Sequence, residues 1–391
     1  MRILIAIGVP RKEEAGAAGV VLNHARELAK RGHLVDCWFL GDVLAKPARS
    51  RRFEALIFAV SLAKRILRER TKYDVVNIHA PWGCAYGVAR KFFRPTGAPP
   101  YVFTMQGSEE QFVRAMRDED RKGRASNFGW KNRAWHRVYH QTMYNYSIET
   151  ADLGVVANRE GQIAAERKRG RKSGRISFVP NGTEERFFIP REFPDRADLR
   201  LLYVGTWLDR KGMFYLAEGF RLLVKRVPTV SLTIAGCLVS ESTIQMSFAP
   251  EARDRVSVIP FVTRAEMPGL YAKHDIFVFP SLVEGMPLTL LEAMATAMPV
   301  VTTNVCGMAD VVEDGVNGLL IPPADAESLA AVVERLCNSA ELRKQLGSTA
   351  QETMKQYTWE RVVNGLEEAL RTASPGVAAT DSKTSILGVR P

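Results

Sequence analysis

The sequence predicts an α/β protein of two doubly wound parallel-sheet domains, Rossmann-like in pattern and facing each other across a cleft. Three observations carry this. Apolar strand-like runs alternate with helical stretches along most of the chain, which calls for right-handed crossovers and parallel sheets covered on both faces. The alternation halts at a charged stretch with two prolines near residue 190 and then starts again. The length of 391 residues is about two and a half average domains, too much for a single core.

In order, RILIAIGV is the first strand, a short apolar run that reads as buried structure and not as a leader peptide. Gly19–Arg31 is helical, with apolar Val21, Leu22, Ala25, Leu28 and Ala29 on one face. Gly32 and His33 stop it, and LVDCWFL is the next strand. DVVNIHA, PYVFTMQG, LGVVAN and ISFVPNG continue the first set, with helices between them. Residues 191–199 read as a linker, closing a first domain of residues 1–190. LRLLYVG, VSLTIAG, VSVIPFV, DIFVFPS, PVVTTN and GLLIPP are the strands of a second domain, residues 200–357. Helices at Met213–Val224 and near Met267–Lys273 accompany them. A last helix over 358–373 is expected to pack back on the first domain, before a small, polar tail over 374–391.

Composition narrows the class. With 46% apolar and 25% charged residues the chain is an ordinary globular one. No run approaches the 18 or more apolar residues of a membrane span. Five scattered cysteines, without a CxxC pair, argue for a reducing compartment and against a structural zinc site, so a cytoplasmic location is expected. The net charge of +11 is unevenly shared: residues 1–190 hold 34 basic and 19 acidic side chains, the remainder 20 and 24. A basic first domain should attract polyanions or an anionic membrane surface. Arg49–Arg70 and Arg114–Tyr144 carry much of that charge. They read either as ordinary helices with solvated basic ends or as an interface for anionic lipid or an acidic acceptor, peripheral on the inner face of a membrane. No nucleic-acid motif accompanies them, so no nucleic-acid partner is expected.

The chemistry is concentrated in Pro280–Asp325, which begins at the carboxyl end of the DIFVF strand, where parallel sheets place their ligands. Glu284 falls in the connecting loop, Pro287 suits the first helical turn, and Glu292 follows eight residues after Glu284. The amides of Gly285, Met286, Pro287 and Leu288, at the positive end of that helix, make a phosphate cradle flanked by two carboxylates. The plain alternative is a buried helix with a surface glutamate at its start.

This segment resembles the retaining glycosyltransferases of family 4 (group 1), which have the GT-B fold of two facing Rossmann-like domains. Their frame P-S-x-x-E-G-x-P-L-x-x-x-E-A is matched by Pro280, Ser281, Glu284, Gly285, Pro287, Leu288, Glu292 and Ala293. YVGTWLDRKG, with Gly205, is similar to the family's V-G-R-L-x-x-x-K-G loop. Lys211 stands where the family has a lysine on the donor diphosphate; Thr206 replaces its arginine, which leaves Arg210 as a possible substitute. VPNGTEERFF and YAKHDIFVFPS match further landmarks, as do Arg31, Gly32 and His33 after the first helix. Ala15–Gly16 then falls at the family's Gly-Gly loop, where Gly16 lets backbone approach the diphosphate or is simply a surface turn. Phe261 and Val262 fall in the nucleobase region, and His79, Gln106 and Gly107 at strand ends on the acceptor side. Gln106 stands where many relatives have histidine, and His79 is equally well a satisfied strand-end histidine.

The resemblance implies a metal-independent, retaining transferase moving a hexose-type sugar to an acceptor hydroxyl in glycan, glycolipid or polysaccharide biosynthesis. It implies no cofactor: a UDP- or GDP-linked sugar is the co-substrate, and a lipid-linked or glycan molecule the acceptor. Glu292 would hold the ribose, Glu284 the sugar hydroxyls, Lys211 and the loop amides the diphosphate. Glu284 and Lys211 are the catalytic pair, with no side-chain nucleophile. Asp118, Glu119 and Asp120 lie in a charged helical stretch and are not read as a metal site. A nucleotide-sugar epimerase of the same architecture, or a non-catalytic basic protein binding membranes or polyanions, are the alternatives.

Overall fold

A computed structural model describes residues 1–12, 16–45, 53–124, 130–170 and 175–375. Ala15, the start of the basic stretch at Arg49, Phe128 and the tail beyond residue 375 lie outside the described residues.

The described residues form two all-parallel sheets of six strands. The first contains β1 (Arg2–Ala6), β2 (Leu34–Trp38), β3 (Val75–His79), β4 (Tyr101–Met105), β5 (Leu153–Val156) and β6 (Ile176–Phe178), in the order β2-β1-β3-β4-β5-β6. The second contains β7 (Arg200–Val204), β8 (Ser231–Ala235), β9 (Val256–Ile259), β10 (Ile276–Phe279), β11 (Val300–Thr303) and β12 (Leu319–Ile321), in the order β12-β11-β10-β7-β8-β9. In the second sheet the winding reverses at β7, where Leu202 pairs with Phe277 on one side and Thr233 on the other. That reversal opens a crevice beyond the carboxyl ends of β7 and β10.

The period-2 alternation of the strands produces two apolar layers. On one face of the first sheet Leu4, Val76, Ile78 and Phe103 pack with Phe58, Leu62 and Tyr86. On the other, Ile3, Ile5, Val75, Val102 and Val155 pack with Val21 and Leu28. The same face is covered by Val363, Leu366 and Leu370 of the helix Trp359–Ala373, so the last helix among the described residues completes the first domain's core. Its Glu367 receives Arg31 at 2.7 Å and His33 at 3.0 Å. The residues after the first helix are thus a clasp for the last one.

Residues 188–199 contain no helix or strand. Arg191 fastens them to the second domain, donating to the carbonyls of Thr296, His274 and Tyr271 at 2.6–2.7 Å.

The expected long helix over Arg114–Tyr144 is instead broken. A helix at Glu109–Arg121 ends before Gly123, whose φ of +68° takes the backbone out of the helical region. Helical structure resumes at Trp130–Trp135, continues as a π-helical turn over His136–His140, and returns to α over Gln141–Thr150. The apolar helix runs over Glu54–Arg68, with Arg65 and Arg68 in its last turn. No helix among the described residues is long and apolar enough to cross a membrane.

Candidate active site

Between the domains lies a cleft of about 500 Å³, lined by residues from both. The loops after β7 and β10 supply half of its charged groups, Arg210, Lys211 and Glu284. They are held together by a close approach: Gly212, at φ +74°, leaves no room for a Cβ, which would fall 1.9 Å from the Pro280 carbonyl oxygen. Leu282 donates its backbone N–H to the Arg210 carbonyl at 2.8 Å.

This packing makes one carboxylate the meeting point of two cations. Lys211 Nζ lies 2.7 Å and Arg210 Nη1 2.9 Å from the same Glu284 oxygen, Oε1, which also accepts from Ser281 Oγ at 2.9 Å. Burial pushes the Glu284 pKa up, but the charges of Lys211 and Arg210 and the hydrogen bonds more than offset it, so it stays below the usual range. Burial lowers the Lys211 pKa, Glu284 opposing and Arg210 reinforcing that shift. Arg210 is the more exposed cation, its side chain 33% accessible against 12% for Lys211. The sequence left open where Arg210 would point; it stands beside Lys211. Thr206, in the position of the family's arginine, lines the cleft, its carbonyl accepting from Tyr203 at 3.1 Å.

The second carboxylate lies on the helix Leu288–Ala295. Glu292 is 1% exposed, receives Arg264 Nη1 at 2.5 Å and accepts from the Tyr271 hydroxyl at 3.0 Å. Burial raises its pKa, with Arg264 pulling the other way. Arg264 also donates to Glu184 at 2.6 and 2.9 Å, and so bridges two carboxylates. Its own pKa, lowered by burial, is raised further by those two charges. Beside it Phe261, 57% exposed, and Val262 form the cleft wall with Gly236 and Leu238.

Pro287 occupies the position just before the helix, at φ −74° and ψ 123°, not its first turn. It also has no N–H, so the cradle reduces to Gly285, Met286 and Leu288 with the first-turn amides that no helix can pair internally. The carbonyls on this loop are held by the first domain. Asn181 Nδ2 donates to Met286 at 2.8 Å and Asn158 Nδ2 to Gly285 at 3.3 Å. Gly285 sits so close that a Cβ there would fall 1.5 Å from the Gln106 carbonyl oxygen, and Gly107 abuts the same loop. The two domains therefore touch at the centre of the site.

Gly16, Gly205 and Gln106 line the cleft as the strand ends suggest, Gln106 accepting from Asn181 at 3.0 Å. His79 does not reach it. It is 2% exposed at the end of β3, and its pKa is pushed down to about 3 by burial and then by neighbouring His24. The side chain that closes a strand can turn inward as easily as outward, and here it faces the core. Asp118, Glu119 and Asp120 diverge to Arg121, to Lys122 and Tyr215, and to Arg133. Sequence reasoning missed Arg264, Asn181 and Lys12, all of which line the cleft. Asn181 belongs to the V-P-N-G landmark and was legible there; Arg264 and Lys12 had no signal beyond their charge.

Two facing six-stranded Rossmann-like domains, with the charged loops at the reversal of the second, define a GT-B protein. The chain belongs to the group 1 and family 4 glycosyltransferases. Residues 185–353 match the family described as Glycosyl transferases group 1, and residues 15–187 that described as Glycosyltransferase Family 4. An uncharacterized glycosyltransferase of Methanocaldococcus jannaschii is 35% identical over 329 residues, 83% of this chain and 82% of that protein. The capsular polysaccharide biosynthesis glycosyltransferase CapM of Staphylococcus aureus is 29% identical over 165 residues, 41% of this chain and 43% of that protein. The match thus spans less than half the length of several of these curated relatives. Among solved structures, sucrose-phosphate synthase from Thermosynechococcus elongatus superposes with a TM-score of 0.75 at 19% identity, over 95% of this chain and 99% of that one. Anabaena HepE in complex with UDP-glucose gives 0.68 at 16% identity, over 95% and 100%. These likenesses are likenesses of fold.

Proposed function

We propose that the protein is a retaining glycosyltransferase that moves a sugar from a nucleotide-sugar donor to an acceptor hydroxyl in glycan or polysaccharide biosynthesis. The observation that carries this is the Lys211–Glu284–Arg210 cluster beside the amides of Gly285 and Leu288, with Glu292 farther along the same cleft. A diphosphate entering there meets two cations and the positive end of a helix. Its phosphates draw Lys211 and Arg210 from Glu284, which is then available to hydrogen-bond a sugar hydroxyl. Glu292, farther along the helix, takes the ribose, and exposed Phe261 faces the base. HepE, of like fold, was solved with UDP-glucose, which supports UDP as the nucleotide.

In the transfer step the bond from the anomeric carbon to the phosphate oxygen breaks as that to the acceptor oxygen forms. The acceptor's proton passes to the departing phosphate on the same face, which retains the configuration. Lys211, Arg210 and the loop amides stabilise the charge that grows on the diphosphate, with no metal required there. Contact between the domains at Gly285 excludes water that would otherwise hydrolyse the donor.

A lipid-linked acceptor at an anionic membrane is supported by one surface of the basic domain. Leu56, Ile57 and Val60 are exposed along the helix Glu54–Arg68 and Phe53 just before it, with Val138 exposed on the π-helical turn. Tyr139 joins the two elements, its hydroxyl accepting from the Leu56 N–H at 2.8 Å. Apolar side chains on a domain of excess positive charge suit an anionic bilayer surface. Salt-sensitive cosedimentation with acidic vesicles, absent with neutral ones, is the expected result; equal binding to both, or to neither, removes the membrane.

The donor reading is tested by calorimetry with UDP, GDP, ADP and their sugar conjugates, followed by the anomeric configuration of the product. Tight binding of one nucleotide and a product of unchanged configuration is expected. No nucleotide binding, or an inverted product, overturns it.

A further inference from the structure

Outside the cleft, the described residues bring one more set of chemically competent side chains together. Glu109 opens the helix Glu109–Arg121, and His136 and His140 stand four residues apart on the π-helical turn. One oxygen of Glu109 and one ring nitrogen from each histidine all lie within 4.8 Å of one another, and no other such group of three occurs among the described residues. His136 Nδ1 is 2.6 Å from Glu109 Oε1, and the two imidazoles lie nearly parallel with centroids 4.9 Å apart. Phe112, one turn along from Glu109, packs on the His136 ring at 5.5 Å.

We propose that Glu109, His136 and His140 form a binding site for a divalent transition metal of the zinc type. Two imidazole nitrogens and a carboxylate oxygen are the donor set of borderline cations, and leave one or more positions for water or a ligand oxygen. Around one cation at metal–ligand distances of about 2.0–2.2 Å neighbouring donors stand about 3.4 Å apart, so the 2.6 Å His136–Glu109 contact must open by less than an ångström, within reach of side-chain torsions. The carboxylate and two neutral imidazoles together offer one negative charge to the cation. The π turn adds an independent indication, because such turns interrupt the helical ladder and recur at functional sites.

The location gives the metal something to hold. Glu109 lies two residues beyond Gly107, which abuts the Gly285 loop. Its helix reaches the second domain through Met116, packed with Tyr215 and Leu282, and through Glu119, which accepts from the Tyr215 hydroxyl at 2.7 Å. A metal would therefore tie the π turn to the helix that bridges the domains. The site is separate from the diphosphate cluster and does not depend on the donor reading.

The test uses untagged, chelator-treated full-length protein titrated with Co²⁺ and then with Zn²⁺. One equivalent of Co²⁺ with visible d–d absorption, displaced by Zn²⁺, is expected, together with a higher melting temperature when the metal is bound. His140→Gln and Glu109→Gln should weaken binding by roughly a hundredfold or more. Melting temperatures of these variants in chelator, matched to the parent, show that the fold survives. Absence of d–d bands in the parent, or bands and affinity unchanged in His140→Gln, overturns the proposal.

Discussion

The Lys211 ammonium stands 2.7 Å from the Glu284 carboxylate, and Arg210 approaches the same oxygen from 2.9 Å. Two cations on one oxygen leave a net positive charge, so the cluster is satisfied internally yet still attracts an anion.

Replacing Glu284 by Gln keeps the shape of that cluster and removes its charge. Transfer should fall by roughly a hundredfold to a thousandfold, while nucleotide binding by calorimetry stays level or tightens as the cations lose their competitor. A variant that loses nucleotide affinity in step with turnover would place Glu284 on the nucleotide instead.

Arg210→Met and Lys211→Met test the clamp. Each should weaken nucleoside diphosphate binding by roughly tenfold or more, the usual scale of a charge-assisted hydrogen bond, and flatten its salt dependence. The nucleoside alone, without phosphates, should bind all three proteins alike. If Arg210→Met binds the diphosphate as the parent does, the clamp is Lys211 and the amides alone.

Arg264 joins Glu184 to Glu292, which is 1% exposed. Arg264→Met leaves that buried carboxylate without its cation, a change that commonly costs about 3–5 kcal/mol. Adding Glu292→Gln should recover a large part of the loss in melting temperature. Additive losses in the double variant would show that the two side chains act independently.

Acid should weaken the fold through the two core histidines. Burial holds His24 down at about 4, and burial with His24 nearby holds His79 at about 3. In the unfolded chain both titrate near 6.5, so above that pH neither state is charged and they add no pH dependence. Below it only the unfolded state takes up protons, and stability falls by about 1.4 kcal/mol per pH unit for each histidine until the folded values are reached. Denaturant melts between pH 7 and pH 5 should show a shallower decline in His79→Gln. Parallel curves would mean that His79 is solvated in the native protein.

Much of the fold was legible because the strand signal is local: each of the twelve strands among the described residues is written in a run of a few apolar residues. The frame from Pro280 to Ala293 was legible because one strand end and one helix start carry it. Arg264 was not, since its meaning comes from Glu184, 80 residues away, and Glu292, 28 residues away. His79 stayed open in the sequence because a strand pattern gives the alternation of faces but not which face meets the cleft. The broken helix after Arg121 misled for another reason: its charges keep a helical rhythm, and only the backbone at Gly123 shows the interruption.

The helix Trp359–Ala373 and its clasp on Arg31 and His33 also set an order of events in the cell. A ribosome releases the first sheet well before it makes the helix that covers Ile3, Ile5 and Val102. During that interval the second domain is being translated, and the first carries an uncovered greasy face. The nascent chain therefore passes through a stage in which its earlier half is the vulnerable one, open to chaperones and to sticking, and the emergence of this helix ends it.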